Sequence, residues 1–359
     1  MLAELCIECI ITGTVYRKSN PLFRLPDGHS RPQIHHLIQR LLNMNVKKIS
    51  RKGRSLALKA AVGSAVYLYA IMPRIGLGKK PEKKNFRTNY YAHRGLHRNG
   101  TSHPENSLPA IRRAVEAGYG IEFDIQVTKD GVPVVFHDFT LRRMCGQKGR
   151  VADYTLEELS RFRLLDCGEK IPTFKEALKV VDGKVPLIIE MKVEYMDLRV
   201  CRAANQLLRD YPGEYCIESF NPLVLLWYRK NRPDVMRGQL SDGFIHQKEF
   251  RTPSKLAPGF FLQFLVTNFV TRPDFVAYNH QYQGNLSRRL WRALFRGKSA
   301  AWTVRSEEDL KKVRPHFDAY IFDSFIPGEF PGKKIPDKKI PEKKPKSNFP
   351  QKIPGKEIP

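Results

Sequence analysis

Acidic residues are scarce in this chain of 359 residues: 36 Asp and Glu face 62 Lys and Arg, for a formal net charge of +26. The shortage is uneven. Residues 1–88 hold 17 Lys/Arg against 4 Asp/Glu and residues 328–359 hold 9 against 4, while residues 89–327 hold 36 against 28. The basic flanks point to an anionic partner such as a membrane surface or an acidic polymer, and say little about the fold. Nucleic acid is not expected, because the flanks lack a recognition motif and interleaved aromatics. Cysteine is also sparse. Six in a chain of this length show no disulfide framework. The pair Cys6 and Cys9 lacks the second pair that a zinc site usually needs, so it reads as chance, and Cys145, Cys167, Cys201 and Cys216 read as free thiols.

A long hydrophobic run is missing too. The longest covers 60–72, thirteen residues, and Pro73 and Arg74 end it; spanning a bilayer takes about 20. Flanking apolar residues extend the stretch to 56–77, which is expected to be an uncleaved membrane anchor, since no small-x-small cleavage site follows. The alternative is a helix packed on the main domain. Lys and Arg lie on both sides, so the orientation stays open. Residues 1–55 read as a basic, irregular extension, in which Met44 itself opens an anchor-like pattern, and 78–88 as a basic linker. The Lys/Pro repeat of 328–359 has a proline every few residues and little to bury, so an extended, disordered tail is expected, either solubilising or tethering the chain to anionic lipid or wall polymer.

What is present between 89 and 327 is a rhythm. Apolar, β-rich runs recur: YYAHRG, GIEFDIQVT, VPVVFHD, PLIIEMK, YCIESF, RGQLSD, DFVAYN, SAAWTV and AYIFDS. Helical patterns separate most of them, at 108–117, 155–163, 174–181, 197–209, 222–230 and 306–313. Alternating strands and helices predict a parallel sheet with crossovers. The turn at 128–131 joins the second and third runs as a hairpin. Setting that return strand aside leaves eight strand–helix units, the size of a closed (β/α)8 TIM barrel with a small hairpin insertion. The apolar stretch 257–270 is expected to be a barrel helix rather than a lipid-facing patch.

In such a barrel the chemistry lies at the C-terminal strand ends. Those ends carry His93 and Arg94; Glu122 and Asp124, two apart and so on one face; His137 and Asp138; Glu190 and Lys192; Glu218; Trp302; and Asp323. Three carboxylates sharing a pocket repel one another unless a cation sits among them. Hard oxygen donors select Mg²⁺ or Ca²⁺ over zinc. The histidines are then free for proton transfer, and Arg94 and Lys192 can hold a phosphate. Together these describe phosphodiester cleavage. Trp302 reads as an apolar wall meeting the substrate, and Asp323 as structural. Glu105 and Asn106 are read either as pocket residues or as the start of the helix after them. His97 and His103 read as loop histidines.

The order HRG, PENS, EFD, HD, EMK and a late WT resembles the glycerophosphodiester phosphodiesterase family, over about residues 90–327. That family is a (β/α)8 barrel related to phosphatidylinositol-specific phospholipase C. The resemblance implies His93 and His137 as the acid–base pair and Glu122, Asp124 and Glu190 as ligands of one divalent cation. It places Glu105 in a family motif, as possible support for the site together with Asp138. Ser107 stands where threonine is common, and Phe123 and Met191 replace other apolar residues, so no functional group is lost. The implied reaction releases glycerol 3-phosphate and an alcohol, through attack of the neighbouring glycerol hydroxyl and a cyclic phosphate. Small glycerophosphodiesters are the expected substrates. The alternatives are a phospholipase-type activity on lysophospholipid or polyglycerol phosphate, and a catalytically silent barrel that binds membrane or wall polymer.

Overall fold

A computed structural model describes residues 51–74, 86, 88–165, 167–194 and 196–328. Most of the N-terminal extension with Cys6 and Cys9, residues 75–77 of the expected anchor, all of the basic linker but Phe86 and Thr88, and the Lys/Pro tail beyond Gly328 lie outside them.

Among the described residues nine strands form, where the apolar runs predict them: β1 (Tyr90–His93), β2 (Gly120–Val127), β3 (Pro133–Val135), β4 (Leu187–Met191), β5 (Tyr215–Ser219), β6 (Arg237–Ser241), β7 (Phe275–Asn279), β8 (Lys298–Val304) and β9 (Ala319–Phe322). Eight of them pair in parallel, and β1 joins both β2 and β9, so the ring closes as a (β/α)8 barrel. β3 runs antiparallel on β2 outside the ring, with Ile125 opposite Val135. All eight residues of β2 are buried, although Ile121, Phe123, Ile125 and Val127 alternate with Glu122, Asp124 and Gln126: both faces of the strand are covered, so its polar face looks into the barrel rather than to solvent.

Helices cover the outside. After α1 (Arg51–Ile71) come α2 (Leu108–Ala117), α3 (Arg142–Cys145), α4 (Leu156–Leu159), α5 (Phe174–Val181), α6 (Arg199–Leu208), α7 (Pro222–Asn231), α8 (Pro253–Gln263), α9 (Asn268–Thr271), α10 (Leu286–Phe295) and α11 (Glu307–Val313). Their starts are written in polar side chains. Ser107, Thr155, Thr173, Asn221, Asn285 and Ser306 each accept a hydrogen bond from a free N–H of the first turn. Gly118 ends α2 in the left-handed region. The stretch 257–270 packs on the barrel through Gly259, Gln263, Leu265 and Asn268, as expected of a barrel helix, although Phe260 stays exposed. Cys145, Cys201 and Cys216 are buried free thiols, and Cys167 is a half-buried one.

Two features exceed the sequence reading. The insertion is larger than a hairpin. Between β3 and α5 the chain builds a satellite core from Val134, Phe136, Leu141, Met144, Val151, Leu159, Leu164 and Ile171. Helix α1 also docks by its C-terminal end. Ile71 is fully buried, Asn268 donates to its carbonyl, and Arg272 donates to the carbonyls of Tyr69 and Met72 while stacking on the Tyr69 ring. Residues 55–66 of the helix are exposed, with Leu56 and Val66 at 70% and 62%. Among the described residues no helix is long and apolar enough to cross a membrane.

Candidate active site

The loop after β1 is set by backbone conformation. Arg94 and Gly95 both take positive φ, at 56° and 81°. A Cβ on Gly95 would lie 2.8 Å from the carbonyl carbon of Ala110. Only glycine fits that close approach, which aims Arg94 into the barrel mouth. Gly95→Ala is therefore expected to cost about 1–3 kcal/mol of stability, read as a lower midpoint in thermal unfolding.

Register brings the carboxylates together. His93 lies opposite Glu122, and Asp124, Glu190 and Glu218 lie side by side on β2, β4 and β5. Glu122, Asp124 and Glu190 are buried and offer oxygens within 4.8 Å of one another. Burial, then the charge of Asp124, pushes the Glu122 carboxyl well up from its ordinary value. Burial raises Glu190 too. Burial also works to raise Asp124, but His137, Lys192, Arg94 and a hydrogen bond from Asn106 outweigh it and hold that carboxyl far below the usual range. A buried, self-repelling set of hard oxygens is what a divalent cation relieves, so these residues fit one.

Cationic groups frame the cluster. Lys192 Nζ lies 3.0 Å from Glu190 and 3.7 Å from Asp124. Arg94 Nε lies 3.6 Å from Asp124 and has no hydrogen-bond partner, while Nη1 donates to Glu105 at 2.6 Å. Glu105 also accepts two bonds from Arg143 and one from Asn99, which lower its pKa to about 2 against the burial that would raise it. Glu105 thus belongs to the site, and the capping role falls to Ser107. Asn106 likewise turns inward, donating to Asp124 at 3.0 Å.

Each histidine has its own carboxylate. His137 Nδ1 and Asp138 Oδ1 are 2.6 Å apart, and Arg143 holds Asp138 from the other side. His93 Nδ1 is 3.3 Å from Asp323, and its Nε2 faces Glu122 at 3.9 Å. Burial, then Arg94, lowers the His93 pKa to about 4 despite Asp323. Asp323 also reaches His97 at 3.4 Å. At 3.3 Å from His93 the Asp323 carboxylate can accept a proton carried on His93 Nδ1, and so act as a positioning residue for the ring. Asp323→Asn is expected to lower kcat roughly ten- to hundred-fold with KM little changed; steady-state kinetics on the two proteins would show it.

Trp302 is half-buried, set edge-on against Phe220, which meets Phe244. An apolar wall of these rings stands at the mouth. The sequence reading missed Asn99, Arg143 and the bearing of Asp323 on His93. Only Arg143 carried a signal, being a charged residue next to the buried Met144 in an insertion beside His137.

A closed parallel barrel whose mouth gathers buried carboxylates, strand-end histidines and paired cations is the architecture of a phosphate-ester hydrolase. The match to known proteins is specific. Residues 93–324 fit the model of the glycerophosphoryl diester phosphodiesterase family, and the chain belongs to that family. A glycerophosphodiester phosphodiesterase of Caldanaerobacter subterraneus is 36% identical over 162 residues, 42% of this chain and 65% of the relative. One of Bacillus altitudinis is 30% identical over 185 residues, covering 48% and 74%. The mouse glycerophosphodiester phosphodiesterase 1 is 41% identical over 167 residues, but the match spans only about half, 49%, of its length. Among solved structures, a phosphodiesterase of Oleispira antarctica in complex with the product sn-glycerol-3-phosphate superposes with a TM-score of 0.51 at 22% identity, over 66% of this chain and 92% of that one. A glycerophosphodiester phosphodiesterase of Thermotoga maritima gives 0.50 at 24%, over 66% and 94%. Both share the barrel fold.

Proposed function

We propose that this chain hydrolyses a glycerophosphodiester to glycerol 3-phosphate and an alcohol, with His93 and His137 as the acid–base pair and one divalent cation, Mg²⁺ or Ca²⁺, held by Glu122, Asp124 and Glu190. The observation that carries this reading is one three-carboxylate cluster flanked by two histidines, each backed by its own aspartate. When bound, the cation neutralises the carboxylates and polarises the phosphodiester. Arg94 and Lys192 orient the phosphoryl oxygens. Asp323 and Asp138 each accept the Nδ1 proton of their histidine, which leaves Nε2 to exchange protons with substrate. One histidine takes the proton of the glycerol hydroxyl beside the phosphate as that oxygen attacks phosphorus. The other protonates the departing alcohol. Water then opens the cyclic phosphate with the two roles reversed. Incubating the chain with glycerophosphocholine or glycerophosphoethanolamine should release glycerol 3-phosphate with Mg²⁺ or Ca²⁺ and none with chelator; metal-independent release, or none from a folded, metal-loaded chain, would overturn the reading.

We also infer that the chain gathers at anionic membrane surfaces. Helix α1 contains no Asp or Glu, begins with Arg51, Lys52 and Arg54, and exposes Leu56, Leu58, Val62 and Val66. Basic residues beside exposed apolar ones suit the interface of an anionic bilayer. Sedimentation with phosphatidylserine vesicles that weakens with salt, and is absent with phosphatidylcholine, is the expected result; equal recovery with both would refute it.

A further inference from the structure

A cavity of about 1270 Å³ opens between the loop after β1 and the loop after β9, and it shares His93 and Arg94 with the site above. Glycerol, with three carbons, needs a small fraction of that volume. The lining is unevenly charged. Its two carboxylates are already engaged, Glu105 by Arg94 and Arg143 and Asp323 by His93 and His97. Its remaining cations are not. Arg98, Arg113 and Arg305 line the cavity from the β1 loop, from α2 and from the end of β8, and among the described residues none of them meets a carboxylate; Arg113 donates only to the Leu96 carbonyl. Their charge is felt inside: after burial, Arg113 and Arg98 are among the groups that lower the pKa of His103.

Three guanidinium groups without a carboxylate partner among the described residues surround a large hollow that adjoins His93 and Arg94; their charge suits a second phosphate, to which a guanidinium can donate two parallel hydrogen bonds. We propose that this cavity takes the alcohol half of the diester and selects alcohols that carry a second phosphate. The inference rests on the phosphodiesterase reading of the site. Either a phosphorylated head group or the next unit of a glycerol-phosphate oligomer supplies that chemistry.

The test uses the full chain, loaded with its activating cation, on three substrates: glycerophosphoinositol, glycerophosphoinositol 4-phosphate, and a trimer of glycerol phosphate. At least one phosphorylated substrate should exceed glycerophosphoinositol in kcat/KM by about tenfold, the effect of one well-formed ionic contact, and which one does so identifies the source. In the variant R98Q/R113Q/R305Q that preference should vanish through KM, while glycerophosphoinositol turnover stays within about two-fold and so shows the variant folded. No preference in the unaltered chain, or one that survives the triple substitution, overturns the proposal. Cleavage of none of the three, nor of glycerophosphocholine or glycerophosphoethanolamine, would overturn the phosphodiesterase reading instead. Calorimetric titration with inositol 1,4-bisphosphate against inositol 1-phosphate then decides the cavity: tighter binding of the bisphosphate, lost in the variant, supports it, and equal binding refutes it.

Discussion

Replacing His93 or His137 by alanine is expected to lower turnover about 10²–10⁴-fold, the contribution of a positioned acid or base, and the double replacement should cost little more than either single one. In the proposed mechanism the two act in one proton circuit, so removing either end should break it, and such losses do not add. The geometry supports a circuit. Both rings lie near enough to Asp124 to interact with its charge, and each is oriented through Nδ1 by a carboxylate. Rapid-quench measurement of the chemical step on glycerophosphocholine would check it. A variant at either position with near-normal turnover would remove that histidine from the mechanism.

The second large effect concerns the metal. Adding Mg²⁺ or Ca²⁺ to chelated protein should raise its stability, by about 2.7 kcal/mol at a hundredfold excess over Kd. Glu122→Gln should abolish both that gain and turnover. It should not destabilise the metal-free chain, because burial and the neighbouring carboxylates already make a charge on Glu122 costly. The crossing pattern separates a ligand from a structural residue: loss of a structural ion pair weakens the metal-free protein, whereas loss of a ligand leaves it intact and deaf to metal. Thermal melts of both proteins, with metal and with chelator, read it directly. A Glu122→Gln protein that still gains stability from the cation would exclude Glu122 as a ligand.

Much of the site was legible in the sequence, for local reasons. Residues two apart on a strand share a face, so spacing alone puts Glu122 with Asp124, and Glu190 with Lys192, on a common side. The closed barrel turns that side into the mouth, and the ion pairs of Lys192 to Glu190 and Asp124 follow. The caps Ser107, Thr155 and Thr173 and the helix end at Gly118 are equally local, since their partners lie within one helical turn.

Other features depend on partners far along the chain. Asp323 meets His93 across 230 positions, and no spacing rule links the two; only closure of the ring between β1 and β9 does. Arg143 ties Asp138 to Glu105 because the satellite core folds back over the β1 loop. Glu105 was ambiguous because helix starts and pockets both favour polar residues, and the choice fell to its guanidinium partners. The docked end of α1 was hidden in its apolar run, since hydropathy records apolarity and not which residues are covered; Asn268, Arg272 and Ser287 meet that C-terminal end from elsewhere in the chain. By itself the sequence determined the strand–helix order, the carboxylate faces and the two histidines, because periodicity and steric preference act between near neighbours. The tertiary structure alone decided which charges pair, where α1 docks and that a basic cavity opens beside His93, because those depend on chain segments that meet only when the barrel closes.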